Sequence, residues 1–320
     1  LVSKTHARKD TGFGRGNHAY AADRDTVAVG SDAGGSNAGR LRRQQPQFVR
    51  EQQRPAGQHD RNARQYLRTD YGRKADHVQP RVAGLAQGPL VNALTAKSVH
   101  GALTDAWMLA QLSAKGAVSC LQARWSRDGL PAHAQFDNDT VFQGAHQFAH
   151  TVGRVSRLCL ALEVVPVFVP PLEHGMQNTI EGFNALWQAK VWQRHRVGSI
   201  EELQMRSDQY IAAHRARTRE ATDMAPPRRA MPGDFELDLR ARLTGQIIFI
   251  RRTDEHGQVH LLGQRFTVSP DWLHRLVRCE VDFDHHCIRC FALRRRAPTE
   301  QPLLATLKYH QPDKPFQGEL

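Results

Sequence analysis

The sequence is short of the features that would place it in several common protein classes. It has five cysteines in 320 residues: Cys120, Cys159, Cys279, Cys287 and Cys290. They are few, odd in number and unevenly spread, which excludes a disulfide framework. No apolar run approaches the roughly 18 residues that a membrane span requires, so a bilayer partner is not expected. The opening LVSKTHARKD lacks the apolar centre of a secretory signal, and the expected location is the cytoplasm. Acidic residues are the scarcer charge, 32 Asp and Glu against 44 Lys and Arg, for a net charge of +12 and a pI near 10.0. That balance points to a polyanionic partner such as nucleic acid, although a soluble protein with a basic surface has the same composition.

Aliphatic residues are missing from the amino-terminal quarter. Through residue 80 there are three leucines and no isoleucine, with 15 Lys and Arg against 8 Asp and Glu. A stretch such as GSDAGGSNAGRLRRQQPQ cannot bury enough apolar surface to offset the entropy of ordering it. Residues 1–85 are therefore expected to be a low-complexity basic segment, disordered or degenerate. It would serve as an arm that clings to phosphates or as a solvated tail with no specific role. GFGRG at 12–16 has no strand before it and is not a phosphate loop.

From about residue 89 the texture changes. LVNALTAKSVHGALTDAWML reads as two strands with a turn near His100 and Gly101. SAKGAVSCLQARWSRDG has helical spacing, with Val118, Leu121 and Trp125 on one face and Gly129 at its end. AHAQFDND is a short strand. GAHQFAHTVGRVSRLCLALE reads as a second helix, with Phe148, Val152, Val155, Leu158 and Leu162 in a stripe. VVPVFVPP is an apolar strand closed by prolines. NTIEGFNALWQAKVWQR is a third helix, starting at Asn178 or Thr179 and burying Ile180, Phe183, Trp187 and Val191. Strands alternating with helices predict an α/β layer architecture over 86–214. RARTREATDMAPPRRAMPGD, at 215–234, reads as a basic linker. In 235–310, GQIIFIRRTDEHGQVHLLG predicts a hairpin around Asp254–Gly257, and five short strands predict a small all-β barrel.

Two carboxylates stand out. Asp137, in FDNDT, ends a strand, and Glu181 opens a helix one βα step later. Strand carboxyl ends and helix amino ends meet at one edge of a parallel α/β layer, where such folds bind ligands. Acidic groups converging there suit hard cations such as Mg²⁺ or Mn²⁺, which activate hydroxyls and stabilise leaving oxygens at phosphorus. A turn for Asp137 and the favourable helix dipole for Glu181 are the plainer explanations.

FDNDTVFQG, PVFVPP and NTIEGFN, in that order and spacing, resemble the catalytic core of the integrases and transposases of the retroviral-integrase superfamily, over about residues 86–220. The resemblance implies an RNase H-like mixed sheet with flanking helices and an Asp–Asp–Glu metal site. It implies joining of DNA ends by attack on phosphodiesters, with Mg²⁺ or Mn²⁺ as cofactor and a homo-oligomer assembled on DNA. The β-rich tail is similar to the small barrel that follows the core in bacterial insertion-sequence transposases. By this resemblance Asp137 and Glu181 are the second aspartate and the glutamate. Asp76 is the candidate for the first aspartate and Asp70 its rival. Asn138 would shape the turn, and Asn178 and Asn184 would flank the site. Asp139 stands where the family commonly has glycine and is expected to cap or turn the chain. Lys190, Arg194 and Arg196 are candidates to meet phosphates, and Trp192 a base or sugar. Two other functions fit the same residues: an inactive DNA-binding remnant with an altered amino-terminal region, and a metal-dependent nuclease that cuts without joining.

Two further motifs are weighed. CEVDFDHHCIRC gathers cysteines and histidines as a zinc site would, but C-x-x-C on a strand points its thiols to opposite faces, which favours a plain hairpin turning at DHH. His146 and His150 are spaced as helical ligands without the glutamate of a metalloprotease helix.

Overall fold

The computed structural model describes residues 26–32, 91–98, 103–145, 148–170, 178–195, 197–294, 297, 299–313 and 316. Within them the strands are β1 (Thr26–Asp32), β2 (Asn92–Ser98), β3 (Thr104–Leu109), β4 (His133–Phe136), β5 (Val165–Phe168), β6 (Gln246–Arg252), β7 (Gln258–Leu261), β8 (Gln264–Thr267), β9 (Leu276–Asp282), β10 (Cys287–Ala292) and β11 (Leu303–Lys308). The helices are α1 (Ala114–Asp128), the short α2 (Thr140–Gln143), α3 (Arg154–Ala161), α4 (Asn178–Trp187), α5 (Ile200–Arg217) and the short α6 (Arg219–Asp223). A π-helical turn, Gln188–Trp192, continues α4.

Nine strands form one mixed sheet in the order β11-β10-β9-β6-β5-β4-β1-β2-β3, and β7 and β8 form a separate ribbon. β1, β4, β5 and β6 run parallel, whereas β2 and β3 meander antiparallel beside β1. The architecture is thus mixed α/β, as the alternation of strands and helices predicts.

Burial on both faces explains the near-continuous apolar strands. In β2, Leu94 and Ala96 enter a core shared with Leu121 and Trp125 of α1, Phe142 of α2, and Val155 and Leu158 of α3. Ala93, on the opposite pleat, enters a second core with Ala106, Met108, Ile180, Phe183, Trp187, Val191, Leu203 and Ile211, under α4 and α5. Fully burying one such Leu or Phe is worth about 1.5–3 kcal/mol. α1 ends at Gly129 as its sequence predicts, with Gly129, at φ 80°, donating to the Trp125 carbonyl at 2.9 Å, and it is capped at its start by the Ser113 hydroxyl, which accepts the Gly116 N–H at 3.1 Å.

Five expectations are corrected. The amino-terminal segment, expected to be disordered or degenerate, supplies one strand: TVAVGSD forms β1, between β4 and β2 in the sheet. Its alternation of small and β-branched residues suffices for a strand flanked on both sides. The strands expected to form a barrel instead continue the core sheet, with β6 beside β5 and β9, β10 and β11 following. The hairpin expected around Asp254–Gly257 is a tight turn only: β6 pairs with β5 and β9, while β7 pairs with β8.

The second helix is shorter than its apolar stripe. His150 takes φ 63°, helix α3 begins after Gly153, and Phe148 is 62% exposed. Gly144 and Gly153 lie against each other so closely that a Cβ on Gly144 would stand 2.8 Å from the Gly153 nitrogen. That contact folds the intervening chain back on itself and interrupts the helix. Finally, the expected linker is structured. α5 runs to Arg217, α6 follows, and Leu130 bridges to Arg229. Arg229 donates to Glu163 at 3.0 Å and Arg228 to the Ser98 hydroxyl at 2.8 Å, so two arginines of this stretch are engaged within the fold. Among the described residues no helix is long and apolar enough to cross a membrane.

Candidate active site at the carboxyl edge of the sheet

FDNDT forms the tip where β4 leaves the sheet. Phe136 anchors it, with its ring centre 5.2 Å from that of Phe142 and 5.8 Å from that of Phe168. Asp137 follows, half-buried, and its carboxylate accepts the Asp139 N–H at 3.1 Å. Asp139 is the N-cap of α2 and accepts the Val141 N–H at 2.9 Å, the capping role its position predicts. The Asn138 amide donates to the Val169 carbonyl, and the Val169 N–H donates to the Phe136 carbonyl at 3.2 Å. The ends of β4 and β5 are therefore tied together at Asp137.

Arg251, from β6, completes the support and was not singled out from sequence. Its guanidinium is buried and donates to the carbonyls of Val169 at 3.2 Å, Ile250 at 2.8 Å and His260 at 3.3 Å, and to the Gln143 amide oxygen at 3.3 Å. It also lies over the Phe249 ring at 4.9 Å. Burial lowers its pKa to about 10. Among the described residues no carboxylate forms an ion pair with it. The only signal in the sequence was an arginine inside the apolar run IIFIRR.

Glu181 lies in the first turn of α4, half-buried, on a helix that packs over β1 and β2. The face expected to be buried is buried: Ile180, Phe183, Trp187 and Val191 are all in the second core. Trp187 also donates to the Ser207 hydroxyl at 2.9 Å, which pins α4 to α5. Asp137 and Glu181 thus come from elements on either side of β1. Lys190 and Arg194 are exposed at the end of this helix, and Trp192 is half-buried against the second core. Asp76, Asp70, Arg196, His146 and the turn at His100 and Gly101 lie outside the described residues.

The strand that sequence reasoning missed carries a further candidate. β1 pairs in parallel with β4, Val29 opposite Phe136. Continuing that register sets Gly30 level with Asp137 and puts Asp32 two residues further along the same strand, where it pairs with Ala93 of β2. Carboxylates at the tip of β4 and in the first turn of α4 have the hard-oxygen chemistry that Mg²⁺ or Mn²⁺ prefers. Among the described residues the buried Asn138 side-chain oxygen meets no hydrogen-bond donor, one more oxygen beside Asp137. Among the described residues, however, no three His, Cys, Asp or Glu side chains gather tightly enough to hold a metal ion.

The motif in the carboxyl-terminal part forms the hairpin its sequence suggests. β9 and β10 pair with Asp282 opposite Cys287 and Cys279 opposite Cys290. Cys290 is buried, its sulfur 3.6 Å from that of Cys279, whereas Cys287 is half-buried on the other face.

No protein-family model matches this sequence, and no curated protein matches it. Among solved structures, one similar chain belongs to the cryo-electron-microscopy structure of the simian T-cell lymphotropic virus intasome in complex with the PP2A regulatory subunit B56 gamma. The identity is 10% and the TM-score 0.34, over 63% of this chain and 76% of that chain. A likeness of that size carries no argument about function.

Proposed function

We propose that β1 to α5 form an RNase H-like core of the integrase and transposase type, acting on DNA by metal-dependent phosphoryl transfer. One observation carries this reading. Asp137 ends a parallel strand beside β1, and Glu181 opens the helix packed over β1 and its antiparallel neighbour β2. That placement, together with the β3-β2-β1-β4-β5 order, supports the resemblance of FDNDTVFQG and NTIEGFN.

In this reading Asp137 and Glu181 would hold Mg²⁺ or Mn²⁺, and Asp32 joins Asp76 as a candidate third carboxylate. The metal, when bound, supplies Lewis-acid activation of the attacking hydroxyl and of the scissile phosphate. The protein supplies geometry. Phe136, Asn138 and Arg251 fix the tip that presents Asp137, and Trp187 fixes the helix that presents Glu181. Lys190 and Arg194, exposed at the end of that helix, would meet backbone phosphates and position DNA without reading its sequence. An active assembly joining two DNA ends would be a homo-oligomer.

A second reading has its own support. With Gly30 level with Asp137, β1 lacks a carboxylate at the position best placed to share a metal, which suits an inactive DNA-binding remnant. Incubating the full chain with oligonucleotide duplexes and Mn²⁺ separates the readings. Joined products that vanish in Asp137→Asn and Glu181→Gln support the first. Nicking without joining indicates a nuclease. DNA binding with no metal-dependent product in any protein means the remnant.

A further inference from the structure

The hairpin between β9 and β10 turns through Asp284, His285 and His286, and the chain leaving β11 passes directly beside it. Cys287 pairs with Lys308, and the Tyr309 N–H donates to the His286 carbonyl at 2.9 Å. His310 is thereby set against His286, with the two ring centres 4.9 Å apart. Both rings are exposed.

The backbone beneath them is firmly held. Tyr309 is buried, its ring packed near Phe266, Phe283 and His150, and its hydroxyl donates to Gln311 at 2.6 Å. His286 sits at φ 51°, a left-handed turn position fixed by strand pairing on both sides. The neighbouring His285 is engaged elsewhere, its Nδ1 2.9 Å from the Asp282 carboxylate.

Two imidazoles that share a tetrahedral metal, each nitrogen about 2.1 Å from it, stand with ring centres about 5 Å apart. His286 and His310 already stand at that separation on a fixed backbone, so little ordering would accompany binding. We propose that His286 and His310 form a site for a borderline divalent transition ion of the Zn²⁺, Ni²⁺ or Cu²⁺ class. Among the described residues no third His, Cys, Asp or Glu joins them, so water fills the remaining positions. Two nitrogen donors favour these ions over Mg²⁺ and Mn²⁺, which prefer oxygen. The site is independent of the proposed phosphoryl-transfer reading and stands on a different set of strands.

Calorimetric titration of the full chain with Ni²⁺ tests this site. The expected result is saturable binding that weakens at least about tenfold in both His286→Ala and His310→Ala. It is unchanged in His285→Ala and in Asp137→Asn. The substituted rings are exposed, and an unaltered circular-dichroism spectrum in each variant confirms that the fold is kept. Binding that survives in both His286→Ala and His310→Ala, or no saturable binding in the parent chain, overturns the proposal.

Discussion

Two groups of acids in this molecule have opposite surroundings. Asp105 on β3 and Asp128 at the end of α1 are buried among arginines. Arg127 lies 2.8 Å from Asp105 and 2.7 Å from Asp128, Arg215 lies 2.9 Å and 2.8 Å from the same pair, and Arg124 closes onto Asp105 from within the core. Glu181 has no ion-pair partner among the described residues, and Asp137 is met by the backbone of its own turn. The first group is explained by the fold it neutralises. The second stands at the carboxyl edge of a parallel sheet, where such folds bind ligands, and its acids are the ones to examine for function.

The largest effect is expected from breaking the first group. Asp105→Ala strands the fully buried Arg124 guanidinium, whose pKa burial already draws down to about 10 against the pull of Asp105 and Asp128. Removing one member of a buried pair costs about 3–5 kcal/mol, to be read from the denaturant midpoint.

Next comes the free edge of β3. Gln204 on α5 accepts the Met108 N–H at 2.7 Å and donates to the Ala106 carbonyl at 3.1 Å, while Arg215 donates to the Thr104 carbonyl at 2.9 Å. A helix thus satisfies the edge that a second chain could otherwise pair with. Gln204→Ala should cost about 1–3 kcal/mol and increase self-association on size-exclusion chromatography.

Acid sharpens the comparison further. Burial raises the Asp128 pKa, but hydrogen bonds from Arg127 and Arg215 outweigh it and hold the carboxyl well below its ordinary range. Its contribution is complete above the ordinary carboxylate value and is lost as the pH falls through the folded value. Denaturant midpoints taken from roughly pH 5 down to pH 2 should therefore decline, and Asp128→Asn should flatten that decline. The smallest stability effects belong to the second group: Asp137→Asn and Glu181→Gln should shift stability by no more than about 0.5 kcal/mol.

Much of this was legible in the residues. The spacing of Val118, Leu121 and Trp125 located α1, and that of Ile180, Phe183, Trp187 and Val191 located the buried face of α4, because helical period and burial coincide there. Strand β1 was not legible. TVAV is four residues of strand character inside a glycine- and aspartate-rich stretch, and its position comes from long-range pairing with β2 and β4. The apolar stripe through Phe148 misled for the opposite reason. Its local period is helical, but the contact between Gly144 and Gly153 and the left-handed His150 interrupt it. Strand propensity in 235–310 located β6 to β10 but not β11, and propensity does not say which sheet a strand joins. Arg251 was invisible because an arginine satisfied by carbonyls leaves no charge partner to find.

The central claim rests on Asp137. Calorimetric titration of Mn²⁺ into a His286→Ala, His310→Ala chain, with and without Asp137→Asn, measures the acidic site apart from the imidazoles. The account predicts saturable Mn²⁺ binding in the first protein and its loss in the second, at equal stability. Equal binding in both, or none in either, would contradict it.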